Sequence, residues 1–314
     1  MRDIPDDKLL SELSIPGTHN SYALHGGLDV LGLYSVCQSW TGREQLENGI
    51  RFFDLRLRPI IDKDGSSLMA IHHGIVFQEK YFEDALNDLK NFLAINPSET
   101  ILVRYRDETD GGTNEHLKPD CDCVFGEAFG TALESYKRGW LKSNSEFVYN
   151  NDSKNTSSLQ NFHHIPSLGD VRGKIVFINM DSHGDFGLSS TSLNIADQWD
   201  VSGCVQFLSF TDSCLKIKSI KDNLESASDH QDSLSLTFCS GTAIPVKSNR
   251  YIADHINPQV NKLVSEFSKD KNLGVVIFDY PTLDNIDSVI GHNDKLEDNK
   301  MPFYMPLLRL LIFA

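Results

Sequence analysis

The stretch Gly274-Val-Val-Ile-Phe-Asp279 constrains the fold most. It is nearly continuously apolar and closes on an acid, the pattern of a parallel strand covered on both faces, whose crossovers are helices. Seven further runs suit strands: 13–15, 51–56, 68–72, 100–106, 174–179, 195–199 and 234–239. Helical patterns follow most of them, at 41–48, 127–136, 212–226 and 251–268, the last despite Asn257-Pro258 inside it. Phe82, Leu86, Leu89 and Leu93 mark one more amphipathic helix, stopped by Asn96-Pro97. This alternation predicts an α/β fold, a (β/α)8-like barrel irregular where a crossover is not a clear helix. No repeat, low-complexity tract or linker divides the chain, so one domain over residues 1–314 is expected.

Bulk properties exclude several partners. A net charge of −15 argues against general attraction to nucleic acid or strongly anionic membranes, so an anionic ligand must meet local positive groups. The six cysteines are too scattered for a disulfide-built scaffold, and Cys121-Asp-Cys123 is too tight for zinc knuckle spacing. One or two disulfides are compatible with the spacing. The first twenty residues carry no signal-peptide pattern. Residues 301–314 are apolar but interrupted by Arg309 and shorter than the ~20 residues of a spanning helix. A closing helix packed on the core is expected there, with a membrane-touching tail as the alternative. The apolar stretch 26–36 reads as a buried helix or as a greasy rim beside a site.

Chemistry-bearing residues gather at strand ends. Pro16-Gly17 is a turn signal after a short apolar run, and His19 follows at once. In Arg51-Phe-Phe-Asp-Leu-Arg56 alternation puts Phe52, Asp54 and Arg56 on one face. An acid and a base on the same side of a buried strand are costly unless paired or functional. Leu68-Met-Ala-Ile-His72-His73-Gly74 ends in adjacent histidines that point to opposite faces, and His73 is nearer the carboxyl end. Arg104 and Arg106 share the face of Leu102, and Asp197 and Trp199 sit two apart on a brief strand. Two histidines, an arginine and a carboxylate form a set for phosphodiester cleavage. One histidine takes a proton from an attacking hydroxyl, the other gives one to the leaving oxygen, and the arginine steadies the phosphorane charge. Asp279 could orient the base.

Together, Ile15-Pro-Gly-Thr-His19, Arg51-Phe-Phe-Asp-Leu-Arg56, His72-His73-Gly74, Asn96-Pro-Ser-Glu-Thr100, Gly173-Lys-Ile-Val176 and Val276-Ile-Phe-Asp-Tyr280 resemble bacterial phosphatidylinositol-specific phospholipase C. The resemblance implies a distorted TIM barrel that cleaves phosphatidylinositol to diacylglycerol and inositol 1,2-cyclic phosphate. It implies His19 as general base held by Asp279, His73 as general acid, and Arg56 on the phosphate with Asp54 beside it. Asn20, Arg106, Asp197 and Trp199 are then substrate-binding, Trp199 stacking on the inositol ring. The expected partner is phosphatidylinositol or a related inositol phospholipid at a membrane surface, the expected state a monomer, and the implied compartment extracellular.

Two positions depart from the family pattern. Asn20 stands where its metal-independent members have an aspartate that supports the acid histidine, and Met180 where they have an inositol-contacting arginine. Calcium-dependent relatives also carry His-Asn, but with carboxylates at the positions of Arg56 and Arg106, and two fixed cations repel Ca2+. The expectation is therefore an enzyme without metal or cofactor. The alternatives are a Ca2+-dependent form and a catalytically weak or inactive inositol-lipid-binding relative.

Overall fold

In the computed structural model, which describes residues 1–26, 32–61, 67–108, 129–151, 159–180, 186–206, 209–210, 215–243 and 247–294, the run at 274–278 is a central strand. This β13 (Gly274–Phe278) pairs in parallel with β1 (Ser14–Thr18) on one side and β12 (Leu234–Phe238) on the other. Beyond β1 the sheet continues through β2 (Phe52–Ile61), β5 (Ile101–Asp107), β7 (Ile175–Asn179), β8 (Gly187–Ser189) and β6 (Asn161–Phe162). Beyond β12 lies β9 (Leu193–Ala196), and this whole path is parallel. The end strands β6 and β9 do not pair among the described residues, so the barrel is distorted by an open seam. A small antiparallel pair, β10 (Val205–Gln206) and β11 (Ser209–Phe210), lies apart from it.

Alternation within each strand sorts side chains into an inside and an outside. Ile15, Phe52, Leu102, Val176, Leu236 and Ile277 meet in one buried cluster that fills the barrel. Their neighbours Phe53, Leu55, Val103 and Phe177 face outward, onto Leu86 and Leu89 of α3 (Phe82–Ile95) and Leu133 of α4 (Phe129–Tyr136). Val276 and Phe278 face the other flank, against α6 (Leu215–Ser226), α7 (Asn249–Glu266) and α8 (Leu283–Ile290). The continuous apolar run of β13 is thus explained, since both of its faces are covered. Gly17 lets β1 lie close on β2: a Cβ there would come within 2.8 Å of Phe52. The remaining short helices are α1 (Gly32–Ser35), α2 (Gly42–Glu47), which is closed by a Thr41/Glu44 capping box, and α5 (Leu168–Val171).

Of the run 195–199 only Ile195 and Ala196 belong to β9, and Asp197 and Trp199 follow the strand instead of lying on it. The other seven sequence-read runs are strands over most of their length, but one has a different place. Residues 68–72 belong to β3 (Ser67–His73), which runs antiparallel to the far half of β2 and then to β4 (Val76–Tyr81). It is a hairpin set off the barrel, not a stave, and β2 pairs directly with β5. The reversal uses Gly74 at φ +57°, a left-handed conformation that a glycine adopts without strain. Residues 301–314, and 27–31 of the apolar stretch 26–36, lie outside the described residues. Among the described residues no helix is long and apolar enough to cross a membrane. Cys37 and Cys239 are free, and Cys204 is disulfide-bonded.

Candidate active site

The carboxyl ends of the barrel strands surround a cavity of about 360 Å³, with His19, Arg56, His73, Arg106, Asp197 and Trp199 on its wall. Each arrives by simple chain geometry. The β1–β13 ladder extends one step past Thr18, where the His19 N–H donates to the Phe278 carbonyl at 2.9 Å. Asn20 then turns the chain at φ +44°, a region that asparagine tolerates. In that conformation its N–H donates to Asp54 Oδ2 at 3.1 Å.

His19 is clamped from both sides. Its Nδ1 lies 2.8 Å from Asp279 Oδ1 and its Nε2 lies 2.7 Å from an Arg56 guanidinium nitrogen. A guanidinium only donates, so Nε2 accepts, and Nδ1 carries the hydrogen that goes to the carboxylate. The partners therefore assign the tautomer. Asp279 is buried, and its backbone carbonyl accepts from the Asn257 side chain at 2.9 Å.

Arg56 is held in turn by Glu108, whose Oε1 accepts from the guanidinium at 3.3 Å and from the Gly74 N–H at 2.9 Å. One carboxylate oxygen thereby ties the arginine to the turn that follows His73. Asp54 lies below the cavity, fully buried, 3.0 Å from Arg104 and 3.9 Å from Arg56. Burial alone would raise its carboxyl, but Arg104 first and Arg56 next outweigh that and hold it at about 2. Burial also opposes the charge of Glu108, and Arg56 foremost keeps it below the usual range.

His73 has different supports. Its Nδ1 lies 3.0 Å from the Ser35 carbonyl oxygen and 3.6 Å from Cys37 Sγ, which leaves Nε2 for the cavity. The two imidazole rings are 6.3 Å apart and nearly perpendicular. Burial first, then the charges of Arg56 and His19, push His73 down to about 4. Burial also pushes the Cys37 thiol well up, so this neighbour stays neutral.

Residues 7–180 match the family model described as phosphatidylinositol-specific phospholipase C, X domain. The chain belongs to this family. Along the chain it is 27% identical to the 1-phosphatidylinositol phosphodiesterase of Listeria monocytogenes, covering 93% of this chain and 84% of that one. It is 25% identical to the enzyme of the same description from Staphylococcus aureus strain Newman, covering 94% and 93%. The solved phosphatidylinositol-specific phospholipase C of Listeria monocytogenes superposes with a TM-score of 0.71 at 25% identity, covering 93% of this chain and 97% of that one. Similarity to these relatives thus extends past the X domain over nearly the whole chain.

Within this phospholipase C family member, the structure brings together His19, Arg56, His73, Arg106, Asp197 and Trp199 on one wall and Asp279 directly behind it. Trp199 is 64% exposed, so its ring face is open to a ligand. Asp54 and Asn20 lie beneath the wall: Asn20 is buried, its amide nitrogen 3.4 Å from His19 Nε2 and 3.9 Å from Cys37 Sγ. Met180 packs against the barrel interior. The sequence reading missed Glu108, Arg104 as the partner of Asp54, Ser35, Cys37 and Gln38, whose amide donates to the His19 carbonyl at 2.7 Å. Only Glu108 and Arg104 left a signal, because they continue the period-2 inner face of Leu102 and Arg106.

Proposed function

We propose that this chain cleaves phosphatidylinositol into diacylglycerol and inositol 1,2-cyclic phosphate by general acid–base catalysis without a metal ion. The observation that carries the reading is His19 clamped between Asp279 and Arg56, across the cavity from His73. The phosphodiester draws the Arg56 guanidinium onto its oxygens, which frees His19 Nε2 for the inositol 2-hydroxyl. That hydroxyl oxygen attacks phosphorus as its proton passes to Nε2, and Asp279 stabilises the resulting imidazolium. The bond from phosphorus to the diacylglycerol oxygen breaks, and protonated His73 supplies the proton to that oxygen. Arg106, Asp197 and Trp199 hold the ring, with Trp199 against its apolar face.

The donor set argues against Ca2+, which wants several hard oxygen ligands. Asp54 is committed to Arg104 and Glu108 to Arg56. The described group whose spacing suits an ion, His19, Cys37 and Asp279 within 4.8 Å of one another, offers an imidazole and a thiol instead. The disulfide at Cys204 supports an oxidising, extracellular compartment.

The test measures cyclic inositol phosphate released from phosphatidylinositol vesicles with excess chelator. Wild-type protein is expected to release it and His19→Ala is not. No product from wild type, or product only after Ca2+ is added, refutes the reading. Vesicle binding without turnover would favour a binding module, the reading that the low proton occupancy of His73 alone would support.

A further inference from the structure

Lys216 is the most conspicuous buried group left without a task. It lies in the first turn of α6 and is 1% exposed, and its ammonium has no hydrogen-bond partner among the described residues. Ile220, Asn223 and Leu224 share its stripe, so it occupies a core-facing position where an apolar side chain would pack without penalty. Burying an unpartnered ammonium is destabilising, and a compensating gain is expected elsewhere.

Its surroundings show where. α6 packs on β9 and β12; burial disfavours the Lys216 charge, and the titratable groups that oppose this are Cys239, Asp197 and Asp279. These three are the residues that immediately follow β12, β9 and β13, adjacent strands of the sheet. Asp279 holds His19, and Asp197 is on the catalytic cavity wall. Asp197 is also part of a second cavity of about 570 Å³, lined by the Lys216 neighbours Leu215, Lys218 and Ser219. Burial raises the Cys239 thiol to about 12, so Cys239 remains neutral and supplies no counter-charge. Asp197 and Asp279 are left as the anions that a cation at this position serves.

We infer that Lys216 is a positioning residue for the reaction, its buried ammonium standing behind the cavity wall at the strand ends that carry Asp197 and Asp279. The inference rests on the lyase reading above and goes further, since it assigns a role to a residue outside the cavity lining. Through Asp279 it supports proton uptake by His19, which acts on kcat. Through Asp197 it supports grip on the inositol ring, which acts on KM.

The experiment compares wild type, Lys216→Met, Asp197→Asn and the double variant, with kcat and KM on phosphatidylinositol vesicles and Tm for each. Met keeps the length of the side chain and removes the charge. Lys216→Met is expected to hold or raise Tm while kcat/KM falls about tenfold, split between kcat and KM. In the Asp197→Asn background the KM component should vanish and the kcat component persist. Unchanged kinetics in Lys216→Met, or a lowered Tm with the same fold-losses in both backgrounds, overturns the inference. Wild-type protein that releases no product overturns the lyase reading itself, and this inference with it.

Discussion

His73 Nδ1 donates to the backbone carbonyl of Ser35 at 3.0 Å, a neutral acceptor, whereas His19 Nδ1 donates to the carboxylate of Asp279 at 2.8 Å. The two histidines are thus prepared for opposite tasks. A carboxylate favours the imidazolium that a base becomes, whereas the Ser35 carbonyl favours it too weakly to offset burial and the charge of Arg56. His73, pushed down to about 4, releases its proton readily to a leaving oxygen. In the mechanism proposed above, the phosphodiester anion is the group that would restore its charge.

This arrangement makes the role of His73 depend on the leaving group. His73→Ala is expected to lower turnover of phosphatidylinositol by about 10²–10⁴-fold, the usual worth of general acid help to a poor alkoxide. With an inositol phosphodiester of p-nitrophenol, which departs without a proton, the same variant should lose far less. Initial rates on the two substrates decide the matter. Equal losses on both would remove His73 from the acid role.

Buried histidines also set the acid limit of stability. His73 is held at about 4 and His72 at about 3, His72 by burial first and by Arg58 second. Both folded values lie below the unfolded value of about 6.5, so the unfolded chain binds more protons between them. Stability is therefore fully present above pH 6.5 and is lost as pH falls toward 4 and then 3. Asp54 acts in the same direction lower down: its contribution is present above the unfolded value of 3.8 and disappears as pH falls toward 2. Urea midpoints measured from pH 8 to 4 should decline below about pH 6.5, and His72→Leu should flatten the slope. Constant midpoints across that range would contradict the burial argument.

The parts of the site that could be read in the sequence are those fixed by period and chain order. Alternation in 51–56 put Asp54 and Arg56 on one face, and β1 and β13 are each followed at once by a reactive residue, so pairing these strands brings His19 to Asp279. Three things had no such signature. A hairpin and a barrel stave share the period of two, so 68–72 read as a stave until its antiparallel register was seen. The Ser35 carbonyl is backbone, and no residue type announces it. Lys216 lies on an apolar stripe as a charged residue, which from sequence alone is most simply taken as solvent-facing.

Asp54 and Arg104 form a buried pair that the barrel interior must accommodate, with exposures of 0% and 3%. Removing one partner leaves the other charge uncompensated, at a cost of about 3–5 kcal/mol, whereas replacing both with apolar groups of similar size is close to neutral. Arg104→Met should therefore lower stability by that amount, and Arg104→Met with Asp54→Leu should recover most of it. Activity should not recover in the double variant, because Asp54 also accepts the Asn20 N–H that sets the turn after His19. Urea unfolding and vesicle turnover, measured on the same preparations, separate the two effects.

The clamp on His19 supplies the last expectation. Asp279→Asn keeps an oxygen that can accept from Nδ1, but it offers no negative charge to the imidazolium formed as the 2-hydroxyl is deprotonated. It also permits the amide nitrogen to face Nδ1, which would move the ring hydrogen to Nε2 and remove the base. A fall in kcat of about 10³–10⁴-fold is expected, with little change in Tm, since Asn257 still holds the backbone carbonyl of residue 279. His19→Ala should lose as much, and combining the two should add almost nothing, because the pair acts as one unit. Steady-state kinetics on the three variants test this: additive losses would mean that Asp279 acts on the reaction by a route other than His19.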